Sequence, residues 1–441
     1  MISNRKRDEI IDALRRGTVP QDGLDQLAVG LDKFVDPLMD ELRKTAEGSA
    51  GFKAIRGGYG CGKTFFSRWL QGEARKMNFV TSEVQISETE TPLHKMETVY
   101  RRMLERLATG SERSGAFRSL IDSWFYALEE DVLSAGEIDG ESEAELLAAT
   151  SELMEKRLAS ISKKAPSFAA ALRVYRECVA AGDHATAEGL LAWVAGQPNV
   201  AAAVKKRANI KGDVDHFTAT SFLQGLLVVL KDSGHPGLVL VLDEVETLQR
   251  VRSDIREKAL NALRQFIDEL DAGQFPGLYL VITGTPEFFD GPRGLKKLPP
   301  LAQRLDTHFN ADPRFDNPRA AQIRLQPFRK EMLVEVGCKV RDLYTANPKV
   351  HDRVSEIVNK ELIARLADGV AGQLGGKTGI APRIFLKKLI ADLLDLVDLN
   401  PDYDPGKHYT LTIRENELTP EERNTVGADD VEDIDLDLGQ T

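Results

Sequence analysis

The chain has 441 residues, of which 42% are hydrophobic and 29% charged, with a formal net charge of −11. That length accommodates about two or three domains with a full core, and the composition excludes a disordered or fibrous chain. The negative balance excludes a general nucleic-acid coat, which needs clustered Lys and Arg, and no apolar run approaches the ~20 residues that cross a bilayer.

The N-terminus MISNRKRDEIIDALRR reads as a charged amphipathic helix without the apolar centre of a signal peptide, so a cytoplasmic protein with no membrane partner is expected. Residues 1–47 read as one or two helices, broken where RRGTVPQDG sets Gly and Pro between Gly17 and Gly23. From Gly51 the pattern becomes strand (FKAIR), Gly-rich loop (GGYGCGKT), helix (FFSRWLQGEARKM) and strand (FVTSEVQI), a parallel βαβ opening. The stretch of about 92–222 carries helical periodicity with several breaks and is too long for a simple crossover, so it reads as a helical insertion. The sheet resumes at GLVLVLDE, followed by the helix SDIREKALNALRQFIDEL, the strand GLYLVITGT, a Pro- and Gly-rich loop, a helix at LAQRL and a short strand at AQIRLQPF.

Together these predict a doubly wound α/β core over 48–330. Residues 331–399, with EMLVEVGCKVRDLYTA, SEIVNKELIARLADGVAG and APRIFLKKLIADLLDLV, predict a second, helical domain. Residues 400–441 begin with the linker NPDYDPG and a short strand, and end in an acidic tail expected to be disordered. Cys61, Cys178 and Cys338 are too few and too scattered for a disulfide framework or a zinc site, which fits a reducing compartment.

Gly57, Gly58, Tyr59, Gly60, Cys61, Gly62, Lys63 and Thr64 satisfy G-x-x-x-x-G-K-[ST], with a strand before and a helix, opening at Phe65, after. In such a loop backbone N–H groups turn toward the phosphates of ATP and the helix adds its positive end. Lys63 reaches the β- and γ-phosphates, and Thr64 is a Mg²⁺ ligand. Cys61 needs no redox role, because a small residue fits that place. Asp243 and Glu244 end the run Leu238 to Leu242, at the strand edge where α/β sheets hold ligands. Asp243 would hold Mg²⁺ and Glu244 would orient the attacking water. In LVITGTPEF a polar side chain at Thr283 or Thr285 could bond the γ-phosphate or that water; strand and turn preference accounts for Thr285 equally well, and Thr283 is the preferred candidate. Arg252, Arg256, Lys258 and Arg264 read first as a solvated helical face and secondly as a contact for DNA or a neighbouring subunit.

This order of parts resembles the AAA+ ATPases over about residues 15 to 395, the insertion excepted. The resemblance implies a polar sensor at Thr283. It implies an arginine finger at Arg304 reaching a neighbour's ATP, with Arg293 and Arg314 as rivals, and a lid arginine at Arg383 in GIAPRIFLKKL. It implies adenine contacts at Val19 and Pro20, although aliphatic packing would explain the same two residues. More narrowly, RRGTVPQDGLDQLAVG, GGYGCGKTFFSRWL, VLDEVETL, ITGTPEFF and APRIFLKKL resemble the BrxD-like ATP-binding proteins of bacterial BREX phage-defence systems. That likeness implies an ATPase acting beside a BREX helicase or methyltransferase partner, on double-stranded DNA or on a partner complex, as a homo-oligomer. A nucleotide switch with little turnover, or a DNA-binding loader, is the other reading.

Overall fold

The computed structural model describes residues 3–135, 143–374, 382–414, 417 and 436–437. Strands β1 (Gly51–Arg56), β2 (Val80–Gln85), β3 (Leu238–Asp243), β4 (Leu278–Gly284) and β5 (Gln322–Arg324) form one sheet in the order β2-β3-β4-β1-β5. Every neighbouring pair in it is parallel. All residues of β3 and β4 are buried, as their unbroken apolar runs demand of strands covered on both faces.

Alternate residues of the strands serve different cores. Leu240 and Leu242 of β3 and Leu280 and Ile282 of β4 join one apolar cluster, which includes the long helix Ser253–Asp271 and the helices inserted between β2 and β3. Val239, Val241, Tyr279 and Val281 face the other way, onto α2 (Asp32–Ala46) and α3 (Lys63–Lys76). The α/β class is therefore as expected. The inserted helices run from Met96–Glu105 to His216–Asp232, so the last of them continues beyond residue 222. Phe222 sits at their centre, its ring edge-on to Tyr100, Phe168 and Trp193.

A third cluster holds the C-terminal helices together, and α1 (Asn4–Arg15) belongs to it. Ile10, Ile11 and Leu14 pack with Val340, Leu366, Phe385 and Leu389, and Arg15 pairs with Asp395 at 2.7 Å. The first helix thus shares a core with the last ones, while α2 packs on the sheet. Two details differ from the expected continuous helices. SEIVNKELIARL is interrupted at Val358 and Asn359, where the Asn359 side chain accepts the Leu362 N–H at 2.9 Å and starts a new helix at Lys360. Within APRIFLKKLIADLLDLV, residues Leu389–Leu394 form a π-helical turn. The expected disorder of the acidic tail concerns residues outside those described, apart from Glu417 and Leu436–Asp437; the latter pair antiparallel with Thr410–Leu411. Among the described residues no helix is long and apolar enough to cross a membrane.

Below the sheet edge that carries the loop Gly57–Thr64, β1 buries a charge. Lys53 is only 1% exposed; its ammonium meets Glu41 Oε1 at 2.7 Å and the carbonyls of Ala320 and Pro318 at 2.8 and 3.3 Å. The buried Tyr279 hydroxyl donates to the other oxygen of Glu41. Burial holds the Lys53 pKa below the usual lysine value, opposed by Glu41. Glu41→Ala leaves that ammonium without its counter-charge, and the expected cost is about 3 kcal/mol in a urea melt of the full chain.

Candidate functional site

The loop Gly57–Thr64 runs from the end of β1 into the first turn of α3. Gly60 and Gly62 adopt φ of 74° and 84°, a region closed to most L-residues, so the loop can turn there only on glycine. The Gly57 N–H bonds the carbonyl of Gly284 at 3.1 Å, tying the loop to the end of β4. The Lys63 ammonium folds onto the loop carbonyls of Gly57 (3.0 Å) and Gly58 (3.4 Å), 5.3 Å from the ring of the exposed Tyr59. Cys61 is buried, and burial pushes its thiol above the usual range, away from ready thiolate formation.

Two strands away, the end of β3 faces the same loop. Thr64 Oγ1 donates to Asp243 Oδ2 at 3.3 Å, and Thr283 at the end of β4 donates to Oδ1. Residues 179 positions apart in the chain are thereby joined, as the two strand ends of the sequence reading require. Asp243 is only 5% exposed, and its pKa is raised chiefly by that burial, with Thr283 opposing and Glu83 and Glu244 adding to the rise. A carboxylate and a hydroxyl at this spacing fit Mg²⁺, which takes few protein ligands and fills its octahedron with water and phosphate oxygens.

Glu244 takes a left-handed conformation, φ 59° and ψ 43°, that costs a non-glycine residue about 1 kcal/mol. Its N–H is held by both Asp243 Oδ1 and Thr283 Oγ1 at 3.1 Å, which offsets the strain. Thr283 is fully buried and touches the acidic pair itself, so its hydroxyl sets the geometry of Asp243 and Glu244. The neighbouring Thr285 is buried before the short helix Pro286–Asp290, whose end its side chain does not cap. The Glu244 carboxylate accepts a hydrogen bond from Gln85 Nε2, at the tip of β2, at 2.8 Å.

Two groups here escaped the sequence reading. Gln85 carries no motif, and only the parallel pairing that sets it opposite Asp243 brings it to Glu244. Glu246 lies three residues after Asp243 on the 3₁₀ turn Val245–Gln249; it is 5% exposed and its Oε1 stands 3.6 Å from Lys63 Nζ. The signal was present in D-E-V-E, as a second acid returning toward the site after one turn.

The remaining expected residues sit as follows. Val19 is half-buried against the α2/α3 cluster and Pro20 is buried; Arg68 of α3 donates to the Val19 carbonyl at 2.9 Å and pairs with Glu83 at 3.0 Å. Phe65 packs on both this cluster and the C-terminal one, so the start of α3 is a joint between them. Arg383 lies beside Gly17, two residues from Val19, and donates to the carbonyl of Glu417 at 2.7 Å. Arg304 ends the helix Pro299–Arg304 and pairs with Asp268 and Asp271 of its own chain; its side chain is 39% exposed. Of its rivals, Arg314 pairs with Asp312.

Among families of known proteins, the family model for BREX system ATP-binding protein BrxC/D matches residues 2–413. No curated protein matches the chain.

Proposed function

Because the chain belongs to the family of BREX system ATP-binding proteins BrxC/D, we propose that it binds ATP with Mg²⁺ at Gly57–Thr64 and hydrolyses it as an AAA+ ATPase. The observation that carries the reading is the contact of Thr64 with Asp243 across the loop, with Glu244 on the next residue. Loop N–H groups and the N-terminus of α3 bind the phosphates, and Lys63 turns from the Gly57 carbonyl to the β- and γ-oxygens. Thr64 and Asp243 would hold Mg²⁺, which when bound would neutralise charge on the phosphates. Glu244 accepts a proton from the attacking water while Thr283 keeps the acidic pair in place. Val19 and Pro20 offer apolar surface to adenine.

Arg383 serves in this reading as the lid residue that meets the γ-phosphate. Arg304 exchanges its ion pairs for the phosphate of a neighbouring subunit, which makes the working form a homo-oligomer. Within a BREX defence system the work would fall on double-stranded DNA or on a helicase or methyltransferase partner. The test is ATP turnover against protein concentration with mass determination in the same buffer, with and without Mg²⁺ and duplex DNA. Specific activity that rises with assembly and needs Mg²⁺ supports the reading; negligible turnover in every assembled state overturns it. That second result would favour a nucleotide switch, for which the shared core of α1 and the C-terminal helices speaks, since α1 packs on those helices and Gly17 just after it lies beside Arg383.

Gln85 offers a smaller effect. Its hydrogen bond restrains the Glu244 carboxylate, and losing one such bond changes a free energy by roughly 0.5–1.5 kcal/mol. Gln85→Ala is expected to raise basal ATP turnover about threefold with ATP affinity unchanged, as read from steady-state phosphate release.

A further inference from the structure

Lys63 stands between two kinds of partner. On one side are the loop carbonyls of Gly57 and Gly58; on the other is the carboxylate of Glu246, Oε1 at 3.6 Å. Glu246 is 95% buried, and its second oxygen, Oε2, is buried without a hydrogen-bond partner among the described residues. The turn that carries it is anchored by Val245 and Leu248 in the core and begins after the left-handed Glu244. A buried carboxylate is unfavourable unless a cation or donors compensate it, and Glu246 pairs with Lys63. A purely packing role would be filled better by Leu or Met at that place.

We propose that Glu246 is a positioning residue of the phosphate site, a fixed counter-charge that holds the Lys63 ammonium until phosphate takes it. This rests on the reading of Gly57–Thr64 as an ATP site. An entering phosphate brings its negative charge next to a buried carboxylate and competes with it for one ammonium. Glu246 therefore weakens the hold on nucleotide, above all when no Mg²⁺ is present to offset the charge, and it favours release of the product ADP.

The experiment is titration of a fluorescent ADP analogue into the full chain in EDTA, for wild type, Glu246→Gln, Glu246→Asp and Lys63→Ala, with a thermal melt of each. Glu246→Gln keeps the shape and removes the charge. It should bind about tenfold more tightly, a change of 1.4 kcal/mol, and the analogue should leave it correspondingly more slowly. Glu246→Asp draws the charge back and should show a smaller gain in the same direction. Should Glu246→Gln fail to fold, Glu246→Asp decides alone: tighter binding supports the role and equal or weaker binding overturns it. A structural role alone would lower the melting temperature without tightening Mg²⁺-free binding. Wild-type binding lost in Lys63→Ala but unchanged or weakened in Glu246→Gln would sink the Glu246 inference and leave the ATP site standing. No saturable binding by wild type would remove both.

Discussion

Glu244→Gln should bind ATP as wild type does and lose turnover by about 10³-fold, within the 10² to 10⁴ that a positioned general base contributes. The amide keeps the left-handed turn, because that turn is held by the Glu244 backbone N–H on Asp243 and Thr283 and not by its carboxylate. Thr64 and Asp243, the proposed Mg²⁺ ligands, are untouched. What is lost is the acceptor for the water proton. Turnover by phosphate release and affinity by nucleotide titration, measured on the same preparation, separate the two. Equal turnover in the variant would place the base elsewhere and remove Glu244 from the chemistry.

Arg304→Ala is expected to cost at least ~10³ in turnover, the lower end of what an arginine supplied to a neighbouring phosphate contributes. The distinguishing result is complementation. Neither Glu244→Gln nor Arg304→Ala alone should turn over, yet a mixture should recover part of the wild-type rate. In mixed assemblies, if Arg304 reaches a neighbour's site, some sites would join an intact Glu244 to an intact Arg304 from the next subunit. The rival account follows from the ion pairs of Arg304 with Asp268 and Asp271. If the residue only fastens Pro299–Arg304 to the helix Ser253–Asp271, the variant will melt earlier, by the 0.2–1 kcal/mol of a half-exposed pair, and mixing will restore nothing.

The sheet could be read from the sequence because each strand announces itself locally. Leu238 to Leu242 and Leu278 to Ile282 are apolar runs long enough to need cover on both faces, and both are fully buried. The turn of the loop Gly57–Thr64 was equally readable, since Gly60 and Gly62 are required by backbone conformations that a few neighbouring residues determine. Gln85 was not, because its place beside Glu244 depends on strand pairing between distant segments. Glu246 was half-readable: its spacing from Asp243 puts it one turn on, but only the fold sets it against Lys63. For Thr283 the sequence pointed to phosphate or water, whereas its hydroxyl is engaged by Asp243 and by the Glu244 N–H. The break at Asn359 went unseen because the apolar spacing runs straight through it, and the cap is a single side-chain contact.

The packing of α1 also bears on how the chain is made. Ile10, Ile11 and Leu14 are buried against residues such as Phe385 and Leu389, roughly 375 positions later. At ~5–20 residues per second of synthesis, that apolar stripe stays without its partners for roughly 20–75 s after it leaves the ribosome. Throughout that interval the first helix is a nascent hydrophobic surface that must be shielded or kept from sticking to other polypeptides. The first helix therefore completes its packing only when the C-terminal helices that share its core emerge to receive it.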